Sequence, residues 1–263
     1  MRLATFVPPD AAEAVTGEVR DGEAIAFGDG GTVRSRLAVD DLTPAEGERW
    51  PLESVSLLAP VPRPGAIYGI GLNYASHAAE QGIDPPERPI VFMKAPSSVT
   101  APGGPVRAPA VVRLLDYEGE LAVVIGRDSQ VAGYAVADDV SARDLQRREP
   151  QWSRAKGAAT FCPYGPWITT ADEVRDPGGL RLRTWVNGEL RQDASTAELI
   201  FGVGELVAFL AETQALEPGD LVLTGTPAGV GFALDPPRFL APGDVVRIEI
   251  ERLGAIEHPI EAA

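Results

Sequence analysis

The stretch Asp116-Tyr-Glu118-Gly-Glu120-Leu-Ala-Val-Val-Ile125 joins three carboxylates to an uninterrupted apolar run. A spacing of two would place Glu118 and Glu120 on the same face of a strand, where each carboxylate raises the pKa of the other. The apolar run does not alternate with polar residues, which predicts a strand that is buried on both faces. Because buried acids need a compensating charge, this stretch predicts both a central strand and a cation beside it.

A further acid, Asp139, follows in Asp138-Asp139-Val-Ser-Ala-Arg143. Together, Glu118, Glu120 and Asp139 would form an all-oxygen metal site, which suits Mg²⁺ or Mn²⁺, with Ca²⁺ as a further candidate. The alternative is a solvated acidic strand face, which is the commoner arrangement for an acidic pair at this spacing. Asp116 would lie on the same strand face, but it stands at the start of the strand and is not counted among the ligands.

Composition limits the classes of partner. The chain has 263 residues and a formal net charge of −15, which argues against nucleic acid and anionic membranes. No apolar run approaches the roughly 20 residues of a membrane helix, and the first residues do not form a signal peptide. Cys162 is the single cysteine, which excludes an internal disulfide and predicts a cytoplasmic protein with a buried thiol.

Turn signals divide the chain. Residues 1–58 are predicted to form a small β-rich domain with a hairpin at Asp21-Gly22, and residues 59–263 a larger catalytic domain. Asn187-Gly188 predicts a second tight hairpin. Helices are predicted over residues 74–81, 141–149 and 204–212, with Ser141 as an N-cap. Many short strands and few helices predict an α+β, mostly β fold.

His77 and Glu80 lie in Gly69-Ile-Gly71-Leu-Asn-Tyr74-Ala-Ser-His77-Ala-Ala-Glu80. On a helix they would share a face, and a carboxylate beside an imidazole makes the histidine a candidate general base. The alternative is an incidental pair on a surface helix. The glycines do not form a dinucleotide fingerprint, because Tyr74 stands where a third glycine is needed.

Two further groups are candidates for substrate contacts. Arg143 and Gln146 would share a helix face, and Lys156 lies in a segment where an ammonium could meet an oxyanion. The alternative places Arg143 in a solvated charge run with its neighbours. The glycine-rich stretch 224–231 lacks the ending of a phosphate loop, but its N–H groups and the Thr226 hydroxyl could bind a carboxylate. A plain glycine turn explains that stretch equally well.

The order and spacing of these motifs resemble the fumarylacetoacetate hydrolase family over roughly residues 60–260. Four stretches carry the resemblance: Gly71 to Glu80, Asp116 to Gly126, Asp139 to Gln146, and Leu223 to Gly231. The segment from Phe161 to Trp167 supports it. The first 58 residues look like the variable N-terminal extension of shorter bacterial members.

The resemblance implies a mixed β-sandwich roll, usually a homodimer, with one Mg²⁺ or Mn²⁺ per chain. Carried over onto this sequence, it implies metal ligands at Glu118, Glu120 and Asp139, catalytic residues at His77, Glu80 and Lys156, substrate contacts at Arg143, Gln146 and Thr226, and a motif residue without an assigned role at Lys94. The chain departs from the family pattern at Ala158 and Ala159, where an aromatic residue and then Asp or Gly are usual. We therefore expect a smaller and less polar pocket wall near Lys156.

The resemblance implies a hydrolase that cleaves a C–C bond in a short 2,4-dioxo acid, such as an acylpyruvate or fumarylpyruvate, through a metal-bound enolate. His77, oriented by Glu80, would activate water, and Lys156 would stabilise the oxyanion. The alternatives are a decarboxylase of oxaloacetate or a tricarboxylate, and an isomerase of 2-hydroxyhepta-2,4-diene-1,7-dioate in aromatic compound catabolism. A non-catalytic binding module is a further alternative, but retention of the dyad, the lysine and the acids argues against it.

Overall fold

The computed structural model describes residues 1–263. The strands are β1 (Arg2–Val7), β2 (Val15–Arg20), β3 (Glu23–Ala26), β4 (Arg49–Pro51), β5 (Ser56–Leu58), β6 (Ile67–Gly71), β7 (Ile90–Lys94), β8 (Val99–Thr100), β9 (Val106–Ala108), β10 (Leu115–Asp116), β11 (Gly119–Ile125), β12 (Val131–Asp138), β13 (Ser141–Ala142), β14 (Cys162–Thr170), β15 (Arg181–Val186), β16 (Glu189–Ser195), β17 (Leu221–Leu223), β18 (Val245–Ile250) and β19 (Gly254–Ala262). The helices are α1 (Val33–Val39), α2 (Ala75–Glu80), α3 (Arg143–Arg148), α4 (Ser153–Lys156), α5 (Ala171–Val174) and α6 (Val203–Ala211).

The strands form three sheets. The largest has twelve strands along the path β4-β3-β2-β1-β14-β12-β11-β17-β6-β7, with β5 paired to β1 and β8 to β14. A five-stranded sheet has the order β16-β15-β18-β19-β9, and β10 pairs with β13. Most neighbours are antiparallel, but β17 and β6, β8 and β14, and β9 and β19 are parallel. This mixed arrangement confirms the predicted α+β, mostly β class.

The N-terminal strands belong to the largest sheet. Strand β1 pairs with β14, so that Leu3 is opposite Ile168. Backbone hydrogen bonds therefore cross the predicted boundary at residue 58, and the division into two domains stays a prediction.

Strand β11 is buried on both faces, as its apolar run predicted. Leu121 and Val123 contribute to a core of 32 buried residues that also contains Ile248 of the five-stranded sheet. Ala122 and Val124 contribute to a second core of 18 buried residues. Because both faces are fixed by packing, the strand is a rigid support for the acid at its start.

Cys162 lies fully buried in the second core, as predicted. Burial raises the pKa of its thiol to about 12. A group with such a pKa carries almost no thiolate at neutral pH, so Cys162 is a packing residue.

The hairpin predictions are confirmed. Asp21 and Gly22 connect β2 to β3 with φ angles of 54° and 80°, and Asn187 and Gly188 connect β15 to β16 with 51° and 77°. Positive φ at both central residues is the type I′ requirement that these residue pairs meet.

The predicted N-cap at Ser141 is wrong. Ser141 lies in β13, and its hydroxyl donates to the Asp139 carbonyl at 2.9 Å. Helix α3 begins at Arg143 after Ala142, which supplies no side-chain cap. The serine stabilises the turn after β12 instead of the helix, so it helps to fix the position of Asp139. None of the helices is both long enough and apolar enough to cross a membrane.

Candidate functional site

Three carboxylates meet at the start of the central strand. One oxygen from each of Glu118, Glu120 and Asp139 lies within 4.8 Å of the others, and all three residues are buried. Glu118 immediately precedes β11 and Asp139 immediately follows β12, and the Asp139 N–H donates to the Glu118 carbonyl at 2.9 Å. Antiparallel pairing of two neighbouring strands therefore brings together acids that are separated in sequence. We call this group the acid triad.

Both lysines of the chain are buried against the acid triad. The Nζ of Lys156 lies 2.7 Å from Glu118 Oε2 and 2.7 Å from Asp139 Oδ2. The Nζ of Lys94 lies 2.5 Å from Asp139 Oδ1 and also donates to the Lys156 carbonyl. Lys94, which had no predicted role, therefore contacts both an acid of the triad and the backbone of the second lysine.

Arg143 connects the triad to helix α3. Its guanidinium forms ion pairs with Glu118, at 2.6 Å, and with Asp116, at 2.9 Å. It also donates from Nη1 to the Gln146 side-chain oxygen at 2.9 Å. Because this bond occupies the Gln146 oxygen, the amide nitrogen is the part of Gln146 that remains for a ligand.

The glycine-rich stretch 224–231 binds carboxylates of the protein itself. The Gly225 N–H donates to Glu120 at 2.7 Å and the Gly229 N–H to Glu80 at 2.9 Å. The Gly231 N–H donates to Asp116 at 2.8 Å. The backbone N–H groups of this stretch therefore do bind carboxylates, but the acids belong to the protein itself and come from two parts of the chain, helix α2 and the stretch 116–120.

The predicted dyad forms on helix α2. The Nδ1 of His77 lies 2.6 Å from Glu80 Oε1, and the His77 ring is buried. The Gln81 side-chain nitrogen lies 2.8 Å from His77 Nε2. This pattern fits the neutral tautomer that carries its proton on Nδ1, which leaves Nε2 as a hydrogen-bond acceptor.

The pKa values of two acids of the triad shift in opposite directions. Burial raises the pKa of the Glu118 carboxyl, but Lys156 and Arg143 outweigh this effect and hold the pKa well below its usual range. Burial, together with the carboxylates of Asp139 and Glu118, raises the pKa of Glu120 well above its usual value. Burial lowers the pKa of Lys156, but Asp139 and Glu118 outweigh it and leave the pKa raised. Lys156 is therefore a cation, and Glu120 is the acid with the least compensation.

The donor set fits a divalent metal ion. Carboxylate oxygens without thiol or imidazole suit Mg²⁺ or Mn²⁺. A carboxylate offers about four lone-pair sites, so Glu118 and Asp139 can accept from Lys156 and still hold an ion. Glu120 accepts a single hydrogen bond, from Gly225, and a positive charge beside it would offset the repulsion that raises its pKa. The identity of the metal stays a prediction.

A cavity of about 250 Å³ opens beside the acid triad. Its polar lining includes His77, Gln81, Glu118, Glu120, Arg143, Gln146, Arg147, Lys156 and Thr226, and its apolar lining includes Ile70, Leu72, Ile83, Phe92, Trp152 and Phe232. A concave site with a few converging polar groups is the usual form of a small-molecule site.

Residues 66–261 match the family model for the C-terminal part of fumarylacetoacetate (FAA) hydrolase. The chain belongs to the fumarylacetoacetate hydrolase family. The resemblance that the four motifs predicted is therefore confirmed, and with it the mixed sheet fold of the family.

Similar members of the family are named as tautomerases or isomerases. The mitochondrial oxaloacetate tautomerase fahd2 of Xenopus laevis is 44% identical over 219 residues, which cover 79% of this chain and 69% of the relative. The oxaloacetate tautomerase YisK of Bacillus subtilis is 42% identical over 225 residues, which cover 80% and 75%. The crystal structure of 2-hydroxyhepta-2,4-diene-1,7-dioate isomerase from Mycobacterium marinum matches with a TM-score of 0.82 and 36% identity, over 100% of this chain and 98% of that chain. This chain is therefore a member of a family of enzymes.

The nine residues to which the resemblance to the fumarylacetoacetate hydrolase family assigns a role lie in or beside this cavity. Eight line it or belong to the acid triad, and Glu80 contacts it through His77. The Thr226 hydroxyl is already used, because it donates to the Gly119 carbonyl at 3.0 Å and accepts from Gln192 at 2.8 Å. The structure brings these residues together, and their individual roles stay predictions.

The expectation of a smaller and less polar wall at Ala158 and Ala159 stays a prediction. Neither residue lines the cavity: Ala158 packs against the larger core, and Ala159 is exposed. The wall near Lys156 is formed by Phe92, whose ring centroid lies 5.1 Å from the lysine Nζ. The family departure at 158–159 therefore falls outside the cavity wall.

The aromatic wall is a feature that the sequence analysis missed. Phe92 and Trp152 pack edge to face with ring centroids 5.5 Å apart. A Cβ on Gly69 would lie 2.2 Å from the Phe92 ring, and a Cβ on Gly71 would lie 2.8 Å from the Trp152 ring. The two glycines of β6, which do not form a nucleotide motif, therefore make room for the rings. This pair of glycines on a buried strand was the available signal.

Proposed function

We propose that the protein is a divalent-metal-dependent isomerase that interconverts keto and enol forms of a short 2-oxo dicarboxylate. Oxaloacetate and 2-hydroxyhepta-2,4-diene-1,7-dioate are the model substrates, because the names of similar family members point to them. The observation that carries the proposal is the combination of the acid triad with the imidazole of His77 at the same cavity. These groups suit proton transfer beside a developing negative charge.

The metal ion, held by Glu118, Glu120 and Asp139, would act as a Lewis acid toward the oxygens of the substrate. His77 supplies the proton acceptor at Nε2, while Glu80 keeps the other proton on Nδ1. Gln81 must release Nε2 before this nitrogen can react. The cavity lining offers no serine or cysteine, so a covalent route through such a nucleophile is not supported.

The proposed step balances without water. His77 removes a proton from C3 of the keto acid, the C–H electron pair forms the C2–C3 double bond, and negative charge moves to the 2-oxo oxygen. The proton then returns to that oxygen and gives the enol. Lys156 stays protonated throughout, and its ammonium stabilises the negative charge on the 2-oxo oxygen electrostatically. Its ion pairs with Glu118 and Asp139 fix the position of the ammonium.

Hydrolysis of a C–C bond is the second candidate. The His77–Glu80 pair favours it, because an oriented imidazole can also activate water. Decarboxylation of oxaloacetate uses the same charge stabilisation and is the third outcome. Cytoplasmic location and homodimeric assembly stay predictions, as does a role in aromatic compound catabolism.

The first prediction tests the metal and the reaction together. Glu120→Gln keeps the side-chain shape but removes a charge, so Mg²⁺ affinity and the rate of enol-oxaloacetate ketonisation should each fall by at least about tenfold. Calorimetry measures the affinity, and loss of enol absorbance measures the rate. The matched control is Glu212→Gln, at an exposed position after α6, which should match the unsubstituted protein.

Parallel assays separate the three candidate reactions. Unsubstituted protein with Mg²⁺ is incubated with enol-oxaloacetate, 2-hydroxyhepta-2,4-diene-1,7-dioate and acetylpyruvate, with a chelator in a second series. We expect tautomerisation or isomerisation to be the fastest reaction. Faster release of acetate from acetylpyruvate would replace the proposal with hydrolysis, and faster release of pyruvate from oxaloacetate would replace it with decarboxylation.

A further inference from the structure

One cation at the cavity has no acidic partner. Lys94, Lys156 and Arg143 are each ion-paired with a carboxylate of the site. Arg147 also lines the cavity, is exposed, and forms no ion pair and no side-chain hydrogen bond. Of the basic side chains that line the cavity, only Arg147 therefore remains available for an anionic ligand.

Phe232 holds Arg147 in line with Arg143. The guanidinium carbon of Arg143 lies 4.5 Å from the centroid of the Phe232 ring, and that of Arg147 lies 5.4 Å from the same centroid. The two arginines are four residues apart on α3, so they share a face and are separated by about one helical turn, roughly 5.4 Å. One arginine is buried beside the acid triad, and the other stands one turn farther along the helix.

The acids nearest in sequence do not compensate Arg147. Glu149 pairs with Arg154 at 2.5 Å, and Asp144 accepts from the Arg113 backbone at 3.1 Å. Arg148, the next residue of the same charge run, is exposed but does not line the cavity. Of these two neighbouring exposed arginines, Arg147 therefore lines the cavity and Arg148 does not.

We infer that Arg147 binds the distal carboxylate of a 2-oxo dicarboxylate whose other end lies at the acid triad. Arginine suits this task, because its planar guanidinium can bind a carboxylate through two hydrogen bonds. The protein carries a net charge of −15, so a dianion needs a local cation to offset repulsion. The inference rests on the proposed function for the class of substrate. It assigns Arg147 as the residue that makes the site prefer dicarboxylates to monocarboxylates.

The test compares two ligands that differ only in the distal carboxylate. Oxaloacetate and pyruvate are titrated by calorimetry into the full-length protein with saturating Mg²⁺. For the unsubstituted protein we expect oxaloacetate to bind at least tenfold more tightly than pyruvate. Arg147→Met should weaken oxaloacetate binding by about tenfold, which is ~1.4 kcal/mol, and leave pyruvate binding within twofold. Arg147→Lys should recover part of the loss.

Arg148→Met is the matched control, and it should leave both affinities unchanged. Because both side chains are exposed, the thermal midpoints of the two variants should agree, which separates a binding defect from misfolding. Equal affinities of Arg147→Met and Arg148→Met for oxaloacetate would overturn the inference. So would an equal loss of affinity for both ligands in Arg147→Met.

The binding readout also separates this inference from the proposed function. If the unsubstituted protein binds oxaloacetate through Arg147 but does not speed up its tautomerisation, the reaction is wrong and the carboxylate site stands. If tautomerisation is fast and Arg147→Met changes neither affinity nor KM, the reaction stands and the carboxylate site is wrong.

Discussion

At the scale of single residues, the site depends on two buried lysines in a chain whose other basic residues are all arginine or histidine. Lys94 and Lys156 both contact Asp139, one at each carboxylate oxygen. An ammonium is compact and has three donors, so each lysine can serve an acid and a further partner in a small space. Both lysines of the chain therefore serve the same carboxylate.

Lys94→Met should destabilise the fold. Removing one member of a buried ion pair typically costs about 3–5 kcal/mol, because the remaining charge stays buried without a partner. Arg154→Met, which breaks the partly exposed pair with Glu149, should cost about 0–1 kcal/mol. Midpoints of unfolding in urea measure both effects. Equal midpoints for the two variants would mean that Lys94 is not needed to hold Asp139.

At the scale of secondary-structure elements, helix α2 is attached to the glycine-rich stretch 224–231 through Glu80. One oxygen of this carboxylate contacts His77, and the other accepts from the Gly229 N–H. The helix has only six residues, so it is too short to be stable without such contacts. The dyad therefore orients the imidazole and also anchors the element that carries it.

Glu80→Gln should loosen α2 and slow the reaction. A neutral amide keeps the shape but replaces charge-assisted hydrogen bonds with weaker ones. We expect faster hydrogen exchange over residues 75–81 and a fall in kcat of at least about tenfold. The control is Glu205→Gln on the exposed face of α6. Unchanged exchange in α2 together with full activity would show that the anchor is dispensable.

Elements set by local pattern could be predicted, and elements set by distant contacts could not. The central strand followed from its apolar run, and the turns at Asn187-Gly188 and Asp21-Gly22 from residue types that tolerate positive φ. The acid triad followed from spacing and family resemblance.

The contact of Arg147 with Phe232 joins segments far apart in the chain, and no local period encodes it. Ser141 was assigned wrongly because its hydroxyl has both a cap and a turn available, and tertiary packing decides between them.

At the scale of the whole molecule, one large sheet runs from the N-terminal strands to the strands that carry the site. The path passes from β1 through β14 and β12 to β11, which begins beside the acid triad. Residues 1–58 therefore cover an edge that would otherwise lie beside the catalytic part of the sheet.

Deleting residues 1–58 should expose the edge of β14 that pairs with β1. Exposed strand edges invite pairing with other molecules, so the shortened protein should aggregate or lose several degrees of thermal stability. Light scattering and thermal unfolding measure the two effects. A monodisperse fragment of residues 59–263 with an unchanged midpoint would instead support the predicted division into two domains.

The burial of Cys162 makes the protein convenient for site-specific fluorescent labelling. With its native sulfhydryl inaccessible, an Ile83→Cys variant at the exposed cavity rim would be labelled by a maleimide dye at one position only. Such a dye would report ligand entry in real time, without a cysteine-free background having to be built first.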